Sequence, residues 1–424
     1  QLAGEAKSVV VLEARDRVGG RTKPGMLAGH RIDLGGMWVG PTQTRIVALG
    51  DEYGVRRYVT PAVGDRVSVI DGDARVGKSP FDDSTHSEFV ALYQRINELS
   101  ATVPPETPWT APNADVLDSK TFRTWIEEQT ENAALRSNLD RLATAMITTE
   151  SASISMLYLL FYVRSGDDLG TLTGLGEGAQ KWLYHGGVHQ IAEGIAKELG
   201  ERVVLDCPVH HIRQDAGGVE IVAEQGIWKA KQVIVALPPA MCARIRFSPV
   251  LPPARDKLQQ RYPMGSAIKF WAAYKRPFWR ERGLSGYAYF DKSDVTNAID
   301  ATPHGAREGL LAGFIEAGRA IQWSGADIKA RRTLVLGELA RAFGPEALEA
   351  IDYVDNDWSV EEWSHGCYGG NATPGTLTML GTALRKPVGR VHWAGTETSP
   401  IWAGYIDGAV RAGERAATEA AAAL

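Results

Sequence analysis

Apolar and polar positions are spaced in three different ways along this chain, and each spacing predicts a different kind of element. Residues 8–14 (SVVVLEA) form an unbroken apolar, β-branched run closing on Glu13. That is the pattern of a strand buried on both faces of a parallel sheet. A turn-rich loop, residues 15–21, follows it. Residues 203–237 interleave the short runs VVLD, HHI, VEIV and QVIVALPP with turn signals such as Asp215-Ala216-Gly217-Gly218. They predict a strand meander feeding one more buried strand. Residues 120–164 contain no Gly or Pro and repeat their apolar positions at helical spacing, so they predict several helices. Residues 187–199 predict one helix stopped at Gly200, and residues 404–423 a closing helix. Residues 266–275 and 390–394 predict strands. Strands and helices thus alternate at both ends around a helical block. This predicts an α/β nucleotide domain built from non-adjacent pieces, with a second domain inserted into it.

Composition narrows the class. The chain has 424 residues, 44% of them apolar and 23% charged, which is an ordinary globular mixture of two or three compact units. No apolar run approaches the roughly 18–20 residues of a membrane span. No basic segment leads into an apolar one at the N-terminus, and no apolar anchor follows the closing helix. The expectation is a soluble, cytoplasmic protein without a membrane anchor. Lys and Arg number 46 against 51 Asp and Glu, a balance of -5 that argues against nucleic acid as a partner. Three cysteines (Cys207, Cys242, Cys367) cannot form a disulfide framework and suit a reducing interior. Twelve Trp and 45 Gly suggest an aromatic pocket and many tight turns. No HExxH, CxxC pair or serine elbow occurs, and His185 and His189 straddle a loop and a helix, so no metal is expected.

Several residues carry possible chemistry. In a dinucleotide fold, an acid ends the second strand about 20 residues after the glycine-rich phosphate loop and binds the ribose. Glu13 suits that place. Counting back puts the loop before Gln1, so the first strand and its glycine loop are expected to lie outside this sequence. Arg15 and Arg21 offer planar forks suited to phosphate. Gly19-Gly20 and Gly35-Gly36 allow backbone to approach a ligand closely. Lys269 sits in SAIKFWAAY, with Ala267, Trp271 and Ala273 on its own face of the strand. An unpaired buried ammonium is costly, so a buried partner is expected, most simply water.

Five blocks then point the same way: VLEARDRVGGRT (11–22), IDLGGMWVGPTQTRI (32–46), PMGSAIKFWAAYKRPFW (263–279), EEWSHGCYGG (361–370) and PVGRVHWAGTETSPIWAGYIDGAVRAGERAA (387–417). In order and content the chain resembles the flavin-containing amine oxidases of the monoamine oxidase family, from its first residues to nearly its last. The resemblance implies a Rossmann-like FAD-binding domain of the glutathione-reductase/amine-oxidase type with an inserted α+β substrate domain. Residues 1–58, 186–258 and 361–424 would form the FAD-binding domain, and residues 59–185 and 259–360 the substrate-binding domain.

The same resemblance implies roles. Lys269 would hold a water against the flavin, and Tyr368 and Tyr405 would flank the path of the amine. Glu13, Arg15, Gly20, Arg21, Gly36, Trp38, Val209, Trp358, Trp363, Gly395, Thr396, Gly404 and Tyr405 would contact FAD. Cys367 matches a cysteine joined covalently to the flavin in mitochondrial members. Some bacterial and fungal members lack that bond, so covalent attachment stays open. Gln180, with Phe161 and Leu175, would line the substrate cavity. Glu177, Asp167 and Asp168 read better as a solvated acidic loop than as a site for a second amine. The implied reaction is oxidative deamination of a primary amine, with molecular oxygen as acceptor and hydrogen peroxide as product. A polyamine, diamine or L-amino-acid oxidase on the same scaffold is the alternative, and a flavin-free binding relative is a second. A homodimer is left open.

Overall fold

The computed structural model describes residues 1–5, 7–77 and 81–424. Its largest sheet has seven strands, in the order Asp352–Asp357, Ala267–Tyr274, Gly309–Glu316, Val295–Asp300, Leu284–Phe290, Asp65–Ile70 and Asp73–Val76. The strands Ala267–Tyr274 and Gly309–Glu316 are buried at every position, as the apolar run in the sequence demands. Side chains alternate across a sheet, so the two faces of Ala267–Tyr274 have different neighbours. Ile268, Phe270, Ala272 and Tyr274 enter a core with Val335, Leu339 and Phe343 of the helix Ile328–Phe343. Trp271 and Ala273 face the opposite way, among Leu27, Ile32, Leu34 and Met37.

The Gly- and Pro-free stretch forms the helices Phe122–Gln129, Ala133–Ile147 and Met156–Ser165. The side chains of Thr121, Asn132 and Ser155 each accept a hydrogen bond from a backbone N–H in the first turn that follows. Such caps satisfy donors that the helix itself cannot. Nearly every residue of Met156–Ser165 is buried, which is why its sequence is apolar on all sides.

The remaining strands make smaller sheets. Val233–Val235 runs parallel to Val391–Trp393, and Gly226–Ala230, Val219–Ala223, Val209–Gln214 and Arg246–Ser248 form a four-stranded sheet. The strand Gly226–Ala230 was not separable in the sequence from the meander around it. The helix His189–Leu199 ends at Gly200, whose φ is +58°, as expected. The closing helix Ile406–Ala422 packs against Thr44–Glu52. The run at residues 8–14 differs from its expectation. Only Val11–Leu12 pairs, parallel to Val203–Val204, and Val10 and Val11 are 49% and 38% exposed. These side chains face a cavity instead of a second packed layer. No described helix is long and apolar enough to cross a membrane.

Candidate active site

A cavity of about 1950 Å³ runs through the molecule, from Val9–Leu12 at one end to Tyr287 and Asn297 of the large sheet at the other. Pockets for drug-sized ligands usually occupy about 300–1,000 Å³, so this one has room for a dinucleotide together with a second small molecule. Its wall collects residues that the chain separates by hundreds of positions. Glu13, Arg15, Gly20, Arg21, Gly36 and Trp38 come from the first turns of the chain. Leu175, Gln180, Val209 and Lys269 come from the middle, and Trp358, Trp363, Cys367, Tyr368, Gly395, Thr396, Gly404 and Tyr405 from the end. Phe161 is the exception. It is 1% exposed within the helical core among Leu157, Leu160 and Tyr158, because the helix Met156–Ser165 turns it away from the cavity. Tyr162, one position on, reaches the wall in its place.

Lys269 is 1% exposed and sits on the cavity-facing side of its strand. Its Nζ donates to the Gly35 carbonyl at 2.7 Å, so its protein partner is a backbone oxygen where water was the simplest expectation. The rings of Trp38, Trp271 and Phe314 lie 5.4–5.8 Å from the ammonium nitrogen. Burial pulls its pKa down to about 7, and the charge of Asp33 offsets part of that pull. Tyr368 and Tyr405 stand on the same wall. The Tyr368 ring meets Phe314 edge-on with centroids 5.5 Å apart, and Tyr405 packs against Trp402 at 4.9 Å and Tyr162 at 6.0 Å.

The two arginines picked out for phosphate are already engaged by carboxylates. Arg15 donates to Glu361 at 2.7 Å and to the Ser364 hydroxyl at 2.7 Å. Arg21 grips Glu397 through two hydrogen bonds, at 2.7 and 3.1 Å, and donates to the Tyr368 carbonyl at 2.8 Å. Glu397 also accepts from the Gly370 N–H at 3.1 Å. Burial would raise the Glu397 carboxyl, but Arg21 and these hydrogen bonds hold it below its ordinary value. The pair fixes the loop that carries Cys367 and Tyr368. Glu13 accepts the Arg15 backbone N–H with Oε1, while its Oε2 makes no hydrogen bond among the described residues. Cys367 is a free, buried thiol on the wall, pushed up to about 12 by burial although Arg21 opposes the shift.

Four lining residues leave a buried polar atom without a partner among the described residues: Trp38 Nε1, Arg141 Nε, Gln180 Oε1 and Asn297 Oδ1. Buried polar atoms are normally satisfied, so these fit an occupant that offers both donors and acceptors. Gly20, at φ +55°, has nothing within 4 Å of where a Cβ would stand. A flat, polar-edged flavin with its ribose and phosphates suits a wall of unpaired polar atoms, aromatic rings and open glycine backbone. No group of three or more potential ligating His, Cys, Asp or Glu occurs among the described residues. Glu177 bonds Lys181, and Asp168 caps a short helix, so the acidic loop serves local structure.

Sequence reasoning passed over Glu316, Glu397 and Arg141. Glu316 is the single charged residue in the strand GLLAGFIE, which was a legible signal. Glu397 lay inside a quoted motif without a role. Arg141 looked like any helix-surface arginine.

Comparison with known proteins bears on the family of the whole chain. The family model for flavin-containing amine oxidoreductases matches residues 1–421. A probable flavin-containing monoamine oxidase A of Dictyostelium discoideum is 37% identical over 97% of this chain and 92% of its own length. An L-amino acid dehydrogenase of Synechocystis sp. is 38% identical over 97% of this chain and 89% of its own. Among solved structures, cyclohexylamine oxidase from Brevibacterium oxydans superposes with a TM-score of 0.95 at 34% identity, covering 99% of this chain and 95% of that one. Wild-type putrescine oxidase bound to putrescine superposes with a TM-score of 0.94 at 32% identity, over the same shares. The chain belongs to the flavin-containing amine oxidoreductases, FAD-dependent enzymes that act on amines.

Proposed function

We propose that this enzyme oxidises a primary monoamine to its imine, which water hydrolyses to aldehyde and ammonia, while dioxygen is reduced to hydrogen peroxide. The observation that carries the choice of a monoamine is the charge on the wall. Glu13 is the one acidic side chain that lines the cavity among the described residues, and it lies at the Val9–Leu12 end. A diamine would bring a second ammonium to the far end. The groups on the wall there include Tyr287, Tyr289, Asn297, Ile299, Phe314 and the cation Arg141, with no acid to receive it.

FAD, when bound, supplies the two-electron oxidant. The residues do the rest by holding and excluding. Glu13 Oε2 suits a ribose hydroxyl, and the open backbone at Gly20 admits the cofactor closely, with Gly36 beside it on the wall. Gly395 and Thr396, beside the start of the helix Ile406–Ala422, offer the positive end of a helix dipole to developing negative charge. Tyr368 and Tyr405 give an amine two aromatic faces, an interaction of about 0.5–2 kcal/mol per cation–ring contact. Lys269 places an ammonium of lowered basicity on the same wall, fixed through Gly35. The apolar residues between them keep bulk water away from the reacting C–N bond. This reading assigns residues 1–58, 186–258 and 361–424 to the cofactor and residues 59–185 and 259–360 to the substrate.

A second reading, an L-amino-acid substrate, is favoured by Arg141. This guanidinium lines the far part of the cavity and leaves Nε unpartnered, while Nη2 donates to the carbonyls of Phe290, Ser293 and Val295. The deciding experiment measures peroxide release from the purified flavoprotein with benzylamine, phenethylamine, tyramine, putrescine and L-phenylalanine. The three monoamines should be turned over well ahead of the other two. Preference for putrescine or L-phenylalanine would overturn the assignment of substrate class.

A further inference from the structure

Behind Tyr368, away from the cavity, stands a carboxylate that the reaction described so far does not use. Glu316 closes the strand Gly309–Glu316 and is 0% exposed. It shares a sheet face with Phe314, which lines the cavity and touches the Tyr368 ring. The Tyr368 hydroxyl donates to Glu316 Oε1 at 2.5 Å, and Glu316 Oε2 makes no hydrogen bond. No cation pairs with Glu316 within ion-pair distance among the described residues. An unpaired carboxylate buried this way is costly unless it holds a proton or can take one readily.

Its surroundings are few and identifiable. The helix Ala133–Ile147 contributes Arg141, whose guanidinium is held by backbone carbonyls. The strand Val295–Asp300 contributes Thr296, whose hydroxyl is near enough to hold the Glu316 carboxyl down but makes no well-formed hydrogen bond. Leu284–Phe290 contributes Tyr287, and the loop after the strand Asp352–Asp357 contributes Tyr368 and Cys367. On the neighbouring strand Ala267 pairs with Glu316, and Lys269 pairs with Phe314. On the residue's own side of the chain, Arg319 follows in the next helix.

We infer that Glu316 is a proton-accepting positioning residue that acts through Tyr368 on an ammonium held at the cavity wall. The inference rests on the reading of Tyr368 as an amine-facing wall. Amines are mostly protonated near neutral pH, yet oxidation at the α carbon needs the nitrogen lone pair. In the step assigned here, an N–H bond of the substrate ammonium breaks and its electron pair stays on nitrogen. The proton goes to the Tyr368 oxygen while the phenol proton passes to Glu316 Oε1. The phenol is regenerated, the amine is neutral and the carboxylate becomes a carboxylic acid, so charge and atoms balance. Burial lifts the Glu316 carboxyl to about 7, against the Tyr368 and Thr296 hydroxyls and Arg141, which hold it down. A proton acceptor is most useful when its pKa lies near the working pH.

The test uses the FAD-loaded enzyme and benzyltrimethylammonium, a cation with no proton to lose. Its affinity, measured by calorimetry from about pH 5.5 to pH 8.5, should rise about tenfold as Glu316 ionises, the gain that one unit of linked pKa shift gives. Glu316→Gln should be flat across the range, and Glu316→Asp should restore part of the rise. Lys269 is present in all three proteins, so an undiminished rise in Glu316→Gln would assign the titration to Lys269 and overturn the inference. A flat wild-type profile would overturn it too. A second measurement follows kcat/KM against pH for two amines of different basicity. The acid limb of the wild type should fall at one pH for both. In Glu316→Gln and in Tyr368→Phe, which keeps the ring and cuts the relay, the limb should move to each amine's own pKa. A wild-type limb that already tracks the amine would sink the relay. Absence of peroxide with every amine would sink the oxidase reading, while the cation titration would still decide the role of Glu316.

Discussion

A single lysine shows what burial does to a charge. Lys269 keeps its ammonium in an aromatic enclosure with one backbone oxygen as its protein partner. The enclosure lowers its basicity by disfavouring the charged form. Lys269→Met preserves the volume and the stem and deletes the charge. It leaves the Gly35 carbonyl without its donor, a cost of about 1–3 kcal/mol, but it also removes a desolvated ammonium. The two effects oppose, so thermal denaturation should stay close to wild type while amine oxidation slows at least tenfold. Unchanged kinetics would remove Lys269 from the working part of the site. The residue was visible in the sequence because a cation inside an apolar strand has no cheap explanation. Its partner was not, since Gly35 lies 234 positions away and offers only a carbonyl.

At the scale of elements, the most consequential bond joins the loop after the first strand to the turn before the last helix. Arg21 and Glu397 are part of one buried cluster with the Tyr368 carbonyl and the Gly370 N–H. Removing one partner of a buried pair strands the other, at about 3–5 kcal/mol. Arg21→Ala should therefore destabilise the protein by about that much in urea denaturation at pH 7. The pH dependence follows from the lowered Glu397 carboxyl. Its contribution is complete above the ordinary value of 4.5 and is lost as pH falls through the lower folded value. The gap between wild type and Arg21→Ala should accordingly narrow on acidification below about pH 4.5; a constant gap would refute the electrostatic account. Secondary structure was legible wherever the pattern was long and uniform, as in residues 120–164 and the strand Ala267–Tyr274. It was misjudged at residues 8–14, because an apolar run facing a ligand cavity looks the same as one facing a packed layer.

At the scale of the molecule, the cavity is where the two ends of the chain meet. Segments near residues 13–38, 207–212, 358–368 and 394–413 all form its wall. A ligand that bridges them stabilises the folded state alone, by RT ln(1 + [L]/Kd), about 2.7 kcal/mol when the ligand is at 100 times its Kd. Adding FAD to flavin-depleted protein should therefore raise the melting temperature by several degrees, in a concentration-dependent way. No shift at saturating FAD would mean that these segments do not share the cofactor. Order along the chain revealed the family, and of the site residues it named all but Phe161 lie on the wall. It could not reveal Phe161's inward turn or the pairing of Glu316 with Tyr368, since both depend on helix rotation and strand register and not on residue type.

Strand parity has a corollary for mutation. In Ala267–Tyr274 the even positions build the helix-covered core, while on the other side Ala267 and Lys269 face the cavity and Trp271 and Ala273 a second core. A one-residue insertion or deletion just before Ala267 would exchange the two sets, thrusting an ammonium into oil and a phenyl ring into the reaction chamber. Length changes of two residues keep each side chain on its own side. Indels in this segment should therefore be tolerated, if at all, only in even numbers.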